Sequence, residues 1–424
     1  MIDFGISTVL SREKTTFRNP DVLEGTLAYI SPEQTGRMNR AMDYRTDFYS
    51  LGVAFYELLT GQLPFATSDS LTLVHAHIAQ QPIPPHELNP AIPQPLADIT
   101  LKLMEKNAEE RYQSAYGLKA DLETCWREWQ AKGRIDPFVL ARQDLSDQFQ
   151  IAQKLYGREA EIEILLAGFS RVSQGASEVM LVSGYSGIGK SALVQEVYKP
   201  ITSQRGYFIS GKYDQFQRNI PYAPLIQAFG SLMRQLLTES EASLAAWREK
   251  LLTALGNNGQ VIIEVIPEVQ RIIGPQPAVP ELPPTEAQNR FTLLFENFVN
   301  LFAQPDHPLV LFLDDLQWAD GASLTLIQSL MTAPNSRYLF LIGAYRDNEV
   351  SSAHPLNFTL DEMRKAGTIV NQIFLGPLEL PHVSKLIAET VNCALPIAQP
   401  LAELVQAKSG GNPFFLTEFL KTLG

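Results

Sequence analysis

The chain has 424 residues, of which 45% are hydrophobic and 19% charged, a composition typical of a globular protein with two or three domains. Its formal net charge of −12, without a run of basic residues, argues against nonspecific binding of nucleic acid. No apolar run reaches the length of a membrane span and no signal peptide is visible, so we expect no direct membrane insertion. The two cysteines, Cys125 and Cys393, are far apart in the sequence, which predicts no disulfide framework and fits a reducing cytoplasm best.

Residues 1–130 are predicted to be mostly helical after an irregular start. The run from Phe48 to Leu59 is apolar on nearly all sides, which predicts a buried helix, and Gly61 is a candidate for its C-cap. Prolines recur through residues 81–95, where we expect no regular helix. Helical periodicity resumes in two stretches, Ala97 to Lys106 and Tyr116 to Gln130.

Four short motifs follow one another in this region. They are Asp3-Phe4-Gly5, the segment from Gly25 to Glu33, Asp47 between Tyr44 and Gly52, and Arg111 between Glu110 and Tyr112. Asp-Phe-Gly alone is weak evidence, but the ordered set at these separations resembles the C-terminal half of a serine/threonine protein kinase lobe. The stretch from Ser31 to Thr60 is most similar to large bacterial proteins in which such a kinase is fused to a STAND-type ATPase and then to sensor and histidine-kinase modules.

The kinase resemblance implies phosphoryl transfer, with Asp3 chelating the Mg²⁺ that bridges the phosphates of ATP. Residues 6–25 would form the activation segment. Glu33 and Arg111 would form a buried ion pair that braces the lobe, and Asp47 would accept N–H bonds from the catalytic loop. The last three residues therefore have structural roles in the resemblance.

Several parts of a kinase site do not precede Asp3 in this sequence: a glycine-rich ATP loop, a strand lysine and a His-Arg-Asp loop. Asp3 alone can neither hold ATP nor accept the proton of a substrate hydroxyl. We therefore expect a truncated or split reading frame, or a fragment whose start lies earlier, and kinase activity only when the upstream half is supplied. We also expect this region to be marginally stable by itself, because its helices would expose apolar faces.

The remaining chain begins with a predicted linker over residues 131–156, which contains Gly133 and Pro137 and has little periodicity. Strands and helices then alternate through residues 157–424, which predicts an α/β fold with a parallel sheet. The strand candidates are 179–183, 207–210, 309–313 and 338–344. The prolines of residues 274–284 predict a loop.

A strand, a glycine loop and the start of a helix follow one another from Val179 to Tyr198. The loop, Gly184-Tyr185-Ser186-Gly187-Ile188-Gly189-Lys190-Ser191, fits the P-loop pattern at every fixed position. Its N–H groups and the helix N-terminus can cradle phosphates, Lys190 can reach the β- and γ-phosphates, and the Ser191 hydroxyl can ligate Mg²⁺. The alternative is an ordinary glycine turn, which the flanking strand and helix disfavour. We therefore predict ATP and Mg²⁺ as cofactors.

The apolar strand that starts at Pro308 ends in two carboxylates, Asp314 and Asp315, which matches a Walker B element. Asp314 would hold the Mg²⁺ shell, through water, and Asp315 is placed as a water-orienting residue or general base. Considered without the P-loop, a strand that ends in two solvated aspartates would be an equal alternative.

A further apolar strand, from Leu339 to Tyr345, ends at Arg346. Its guanidinium group could contact the γ-phosphate, because arginine presents a fixed fork of donors. The alternative is a surface ion pair with Asp347 or Glu349.

Residues 157–424 resemble the AAA/STAND group of P-loop NTPases from bacterial signalling proteins. Besides the P-loop, the resemblance depends on four segments: Tyr156 to Glu159, Leu313 to Asp320, Gly343 to Arg346 and Gly410 to Phe415. The last is similar to the group's Gly-x-Pro element, which lies near the nucleotide. By analogy, Gly157 and Arg158 would lie at the adenine end.

The resemblance implies a nucleotide-gated switch, and slow hydrolysis, since Asp315 replaces the glutamate of fast AAA enzymes. It also implies partner proteins or further domains of a signalling cascade, and it allows a nucleotide-dependent oligomer. The predicted fold class is multidomain: a mostly α partial kinase C-lobe over residues 1–130, followed by an α/β P-loop NTPase domain over residues 157–424. Two alternatives remain open, a serine/threonine kinase active only in a longer or complemented chain and a non-enzymatic nucleotide-binding scaffold.

Overall fold

The computed structural model describes residues 27–35, 42–67, 70–144, 154–196, 206–215, 220–237, 241–391 and 393–422, together with residues 151, 198, 201 and 239. The chain divides into two compact units, residues 1–153 and residues 154–424. Asp3 and the predicted activation segment, residues 6–25, lie outside the described residues.

The described part of the first unit is helical. Its α-helices are α1 (Arg45–Thr60), α2 (Ser70–Ala79), α3 (Pro85–Leu88), α4 (Gln94–Leu103) and α5 (Ala115–Lys132). The predicted C-cap is confirmed, because Gly61 has a φ of 74° and its N–H donates to the Glu57 carbonyl over 2.8 Å. The expectation of no regular helix over residues 81–95 is wrong at α3. Pro85 occupies its first turn, where a proline needs no N–H partner.

The apolar sequence of α1 predicted a helix that is buried on all sides, but the core of the first unit buries only one face of it. Tyr49, Val53 and Tyr56 are buried, whereas the Leu58 side chain on the opposite face is 81% exposed. Residues predicted as linker pack on this unit, since Phe138 contacts the apolar cluster of α4 and α5. The Asp121 carboxylate also accepts a bond from the Ala141 N–H over 2.7 Å. These contacts fasten the chain after α5 to the first unit.

The second unit contains a five-stranded parallel sheet in the order β2-β3-β4-β1-β5. The strands are β1 (Ser177–Ser183), β2 (Tyr207–Lys212), β3 (Leu309–Asp314), β4 (Leu339–Tyr345) and β5 (Ile369–Phe374). The four predicted strands are confirmed, with shifted ends. The sequence pattern missed β5, because Asn371 and Gln372 interrupt its apolar run.

Helices cover both faces of this sheet, as the apolar strands require. The described α-helices of this unit are α6 (Glu159–Ser173), α7 (Lys190–Gln195), α8 (Ala223–Leu236), α9 (Glu241–Leu255), α10 (Gly259–Val265), α11 (Val269–Ile273), α12 (Pro284–Asn300), α13 (Gly321–Thr332), α14 (Pro355–Lys365), α15 (Leu380–Thr390), α16 (Leu395–Ser409) and α17 (Pro413–Lys421). Alternate residues of β1 enter two different cores, with Val179 and Leu181 in one and Met180 and Val182 in the other.

The parallel arrangement brings the carboxyl ends of the strands to one edge of the sheet. The P-loop follows β1, and Lys212 at the end of β2 is in register with Asp314 at the end of β3. Arg346 follows β4 directly. In open α/β sheets this edge is where ligands bind. None of the described helices is both long and apolar enough to cross a bilayer.

Candidate nucleotide-binding site

The conformation of the P-loop depends on its glycines and on the lysine that follows them. Gly187 and Gly189 have φ values of 75° and 99°, a region that side chains with a Cβ disfavour. The Lys190 side chain is folded under the loop, and its Nζ donates to the carbonyls of Gly184 (2.8 Å) and Tyr185 (2.9 Å). Burial lowers the pKa of Lys190. An anion above the loop would therefore meet a partly desolvated cation.

The P-loop and the Walker B strand meet through one hydrogen bond. The Ser191 hydroxyl, in the first turn of α7, donates to Asp314 Oδ2 over 3.0 Å. Burial, and then the neighbouring Asp315 carboxylate, raise the pKa of Asp314. Hydroxyl and carboxylate oxygens are the kind of ligand that Mg²⁺ binds, together with phosphate and water oxygens. The residues present thus fit the ion that the sequence predicted.

Asp315 lies deeper than a solvated aspartate would, with 5% of its surface exposed. Its backbone is left-handed, with a φ of 55°. Its Oδ2 lies 3.2 Å from Lys212 Nζ, and its Oδ1 lies 3.6 Å from Arg346 Nε and accepts a bond from Gln317 Nε2 over 2.8 Å. In this conformation both carboxylate oxygens are engaged by the protein.

Arg346 makes the ion pair with Glu349 that was the alternative, and it also faces Asp315; its contact to a γ-phosphate stays a prediction. Its Nε faces Asp315, and its Nη1 lies 2.8 Å from Glu349 Oε1. The guanidinium group also lies over the Trp318 ring, 4.9 Å from the ring centre. Because β4 lies between β3 and β1, the arginine is positioned beside the acidic pair, on the side of the P-loop strand.

Lys212 and Gln317 are site residues that the sequence pattern did not predict. Lys212 lies two residues beyond the end predicted for β2, and its ammonium group reaches both aspartates. Gln317 is buried; its Nε2 donates to Asp315 and its Oε1 accepts from the Arg346 N–H over 3.1 Å. A polar residue at the end of a buried strand was the available signal for Lys212. Gln317 lies within the segment from Leu313 to Asp320 that carries the AAA/STAND resemblance, but no role was predicted for it.

The C-terminal glycine element lies against the P-loop. Gly410 and Gly411 have left-handed backbones, and Asn412 Nδ2 donates to the Ser186 carbonyl over 2.9 Å. The Phe414 N–H lies 3.2 Å from the Gly187 carbonyl oxygen, to which it donates. The element is thus next to the phosphate loop.

The segment from Tyr156 to Glu159 is bonded to the chain that follows β5. Gly157 has a φ of 60°, and a Cβ there would lie 2.4 Å from the His382 ring. Arg158 is buried; its guanidinium donates to the Gly376 carbonyl and lies 3.5 Å from Glu161 Oε1. Both residues therefore have packing roles, and a contact to adenine stays a prediction.

In the first unit, the predicted brace is confirmed. Arg111 Nη1 and Nη2 donate to the two oxygens of Glu33 over 2.6 and 2.8 Å, and both side chains are buried. The Thr46 hydroxyl adds a bond of 2.9 Å to Glu33, and the charge of Arg111 helps to hold the pKa of Glu33 below its usual range although burial alone would raise it. Asp47 is exposed in the first turn of α1.

Two protein-family models match the chain. A protein kinase domain model matches residues 1–122, and an AAA ATPase domain model matches residues 154–342. Neither model covers half of the chain by itself, and each match lies within one of the two structural units.

Curated relatives are signalling kinases much longer than this chain. Hybrid signal transduction histidine kinase G of Dictyostelium discoideum is 34% identical over 94% of the chain, which spans 14% of that protein. Serine/threonine-protein kinase PknB of Mycobacterium leprae is 37% identical over 29% of the chain, and the match covers 19% of that protein. Among solved structures, a Walker-type ATPase of Pyrococcus abyssi has a TM-score of 0.34 at 15% identity, covering 65% of this chain and 70% of that one.

Proposed function

The chain joins part of a serine/threonine protein kinase domain to an AAA-type P-loop ATPase domain, and we propose that it is an ATP-binding signalling protein. The second unit binds MgATP and hydrolyses it slowly, and the bound nucleotide sets the state of a switch. Further domains or partner proteins of a signalling cascade receive that state, in the cytoplasm. The net charge of −12 favours a protein over a nucleic acid as the partner.

The observation that carries this proposal is the bond between Ser191 and Asp314. The two residues are 123 positions apart and come from different elements, yet their oxygens lie 3.0 Å apart beside the buried Lys190. A glycine turn without a function has no need for a lysine and a carboxylate at this place. Together they supply a cation for the phosphates and oxygen ligands for their magnesium ion.

Within the site, each residue has one task. The loop N–H groups and Lys190 bind the β- and γ-phosphates, and Ser191 and Asp314 hold Mg²⁺, which when bound neutralises phosphate charge. Asp315 orients the attacking water, and Arg346 senses the γ-phosphate. Slow turnover follows from the engagement of both Asp315 oxygens by Lys212, Gln317 and Arg346.

Calorimetry with MgATP and MgADP tests the binding step. We expect the wild-type chain to bind both, Lys190→Ala to lose at least about tenfold in affinity, and Lys365→Ala, which removes an exposed lysine, to bind normally. Full affinity in Lys190→Ala, or no heat with the wild type at millimolar nucleotide, would sink the assignment.

Turnover separates a switch that hydrolyses ATP from a binding scaffold. Asp315→Asn keeps the size of the side chain and removes its charge, so we expect phosphate release to fall while nucleotide affinity is kept. A wild-type chain that binds MgATP and releases no phosphate would instead support the scaffold. Sedimentation with and without nucleotide tests the predicted oligomer.

A kinase active only within a longer or complemented chain is the second candidate. The buried pair of Glu33 and Arg111 favours it, because the ion pair that the kinase resemblance implies is formed in the first unit. Supplying an upstream kinase segment and measuring phosphotransfer tests this candidate. Transfer that is equal in wild type and Asp3→Ala would contradict the role implied for Asp3.

A further inference from the structure

The outer side of the phosphate-binding loop is covered by the start of α17. Asn412 Nδ2 donates to the Ser186 carbonyl, and the Phe414 N–H donates to the Gly187 carbonyl. The fit is close, since a Cβ on Gly187 would lie 2.7 Å from Phe414 Cβ and 3.0 Å from Asn412 Oδ1. The contact therefore involves the backbone of the loop rather than its side chains.

These two carbonyls lie in the peptides whose N–H groups belong to Gly187 and Ile188. In a planar trans peptide the C=O and N–H groups point in opposite directions. Holding the Ser186 carbonyl from outside consequently sets the direction of the Gly187 N–H. Gly187, with a φ of 75°, has no Cβ, so it offers little steric resistance to rotation of this peptide. The direction of that donor depends on Asn412.

Asn412 performs two tasks with one amide. Its Oδ1 accepts from the Phe414 N–H over 3.0 Å, which caps α17, while its Nδ2 donates to the loop. Asparagine, serine and aspartate all cap helices well, but an ionised aspartate has no donor and serine lacks the amide nitrogen. The two tasks can thus be separated by substitution.

The helix that carries this contact is also fixed on its far side. The Gly411 carbonyl accepts from the Leu378 N–H over 2.8 Å, and Gln406 Nε2 donates to the Leu378 carbonyl over 3.3 Å. A change in the loop is thereby passed to α16 and α17 through a short series of bonds. Because such coupling is reciprocal, a displacement of α17 would in turn weaken phosphate binding.

We propose that Asn412 is a positioning residue for the phosphate-binding loop and links nucleotide occupancy to the position of α16 and α17. Its amide nitrogen holds the Ser186 carbonyl, so that the Gly187 N–H faces the phosphates. The inference rests on the proposed nucleotide binding and names the contact through which that binding reaches the C-terminal helices.

The test compares Asn412→Ser, which keeps a neutral cap, with Gln399→Ser, which removes the exposed amide of Gln399 on α16 that bonds Glu403. Calorimetry measures MgADP affinity, and hydrogen exchange measures protection of residues 413–421 with and without MgADP. We expect Asn412→Ser to bind about three- to tenfold more weakly, the range for one hydrogen bond, and to lose most of the nucleotide-dependent protection. Gln399→Ser should match the wild type in both measurements, and all variants should unfold at the same temperature without nucleotide.

Asn412→Asp decides the case if Asn412→Ser unfolds early, because a carboxylate caps α17 at least as well and still lacks the donor. Wild-type affinity and protection in the stably folded variant would overturn the inference while leaving the proposed function intact. A wild-type chain that binds no nucleotide would overturn the proposed function and this inference with it. Weaker binding together with lost protection supports both.

Discussion

Lys212 Nζ lies 3.2 Å from Asp315 Oδ2 and 3.7 Å from Asp314 Oδ2, so that one ammonium group faces both carboxylates of the candidate site. Two adjacent carboxylates repel each other, and a shared cation offsets that repulsion. The contact also occupies the Asp315 oxygen that would otherwise be available to a water molecule. Lys212 is therefore expected to restrain hydrolysis.

Replacing Lys212 with methionine should raise the rate of ATP hydrolysis. Removing a partly exposed partner of Asp315 frees one oxygen, and a contact worth about 0.5–1.5 kcal/mol corresponds to roughly a two- to tenfold increase in kcat. Phosphate release at saturating MgATP measures the effect. Lys365→Met, at an exposed lysine paired with Glu362, is the control. A lower rate in Lys212→Met would show that the cation assists catalysis instead.

Gln317→Leu should lower the stability of the second unit and raise turnover, because it removes the amide that engages Asp315 Oδ1. The buried amide bonds Asp315 and the Arg346 N–H, and a leucine of similar size would leave both without that partner. An unsatisfied buried group costs about 1–3 kcal/mol in the free energy of unfolding. Denaturant unfolding and phosphate release give the two values, with Gln304→Leu, at an exposed amide, as the control. MgADP affinity should be unchanged, because Gln317 bonds residues after β3 and β4 rather than the P-loop.

Arg111→Met should unfold the first unit and spare the second. Breaking a buried pair leaves Glu33 as an uncompensated charge, which costs about 3–5 kcal/mol. Limited proteolysis of the full chain should then cut residues 27–144 faster than in the wild type, while MgATP affinity is kept. Arg134→Met, at an exposed ion pair with Asp136, should change neither. In the wild type, equal resistance of residues 1–130 and 157–424 would contradict our expectation that the first unit is marginally stable.

The stability of the first unit should rise with pH between about 7 and 10.5. Burial, and then the charge of Arg111, lower the pKa of Lys106 from 10.5 to about 7, while Glu105 opposes the shift. Its ammonium group faces the Tyr49 hydroxyl and the Phe65 ring, with the buried His77 also packed on Tyr49 and Phe65. Between these two pH values the unfolded chain binds more protons than the folded chain. The free-energy cost of burying the charged Lys106 is therefore complete below pH 7 and absent above pH 10.5.

Lys106→Met should remove this pH dependence, on the order of 5 kcal/mol over the window. Proteolysis of residues 27–144 in the full chain, followed at several pH values, measures it. Lys119→Met, at a lysine whose side chain is 69% exposed, should keep the wild-type slope. An equal slope in Lys106→Met would assign the dependence to other groups.

The P-loop and four strands, among them the Walker B strand, were predictable because each is a contiguous pattern. The effect of a glycine with positive φ, of an apolar run of strand length or of a cap residue is confined to a few neighbouring positions in the sequence. The pair of Glu33 and Arg111 was predictable for another reason, since it followed from the resemblance of residues 1–130 to part of a kinase lobe. The strand β5 was missed because Asn371 and Gln372 obscure its apolar pattern.

What the sequence by itself determined is the chemistry available to the site: a loop that binds phosphate, a lysine, a hydroxyl, two carboxylates and an arginine. Only the tertiary structure decided how these groups are restrained. Lys212 faces Asp315 because β2 lies beside β3, and Asn412 reaches Ser186 from 226 positions away because α17 packs on the loop. Strand order and helix packing result from burying the apolar surface of the whole unit, which no local stretch of residues encodes.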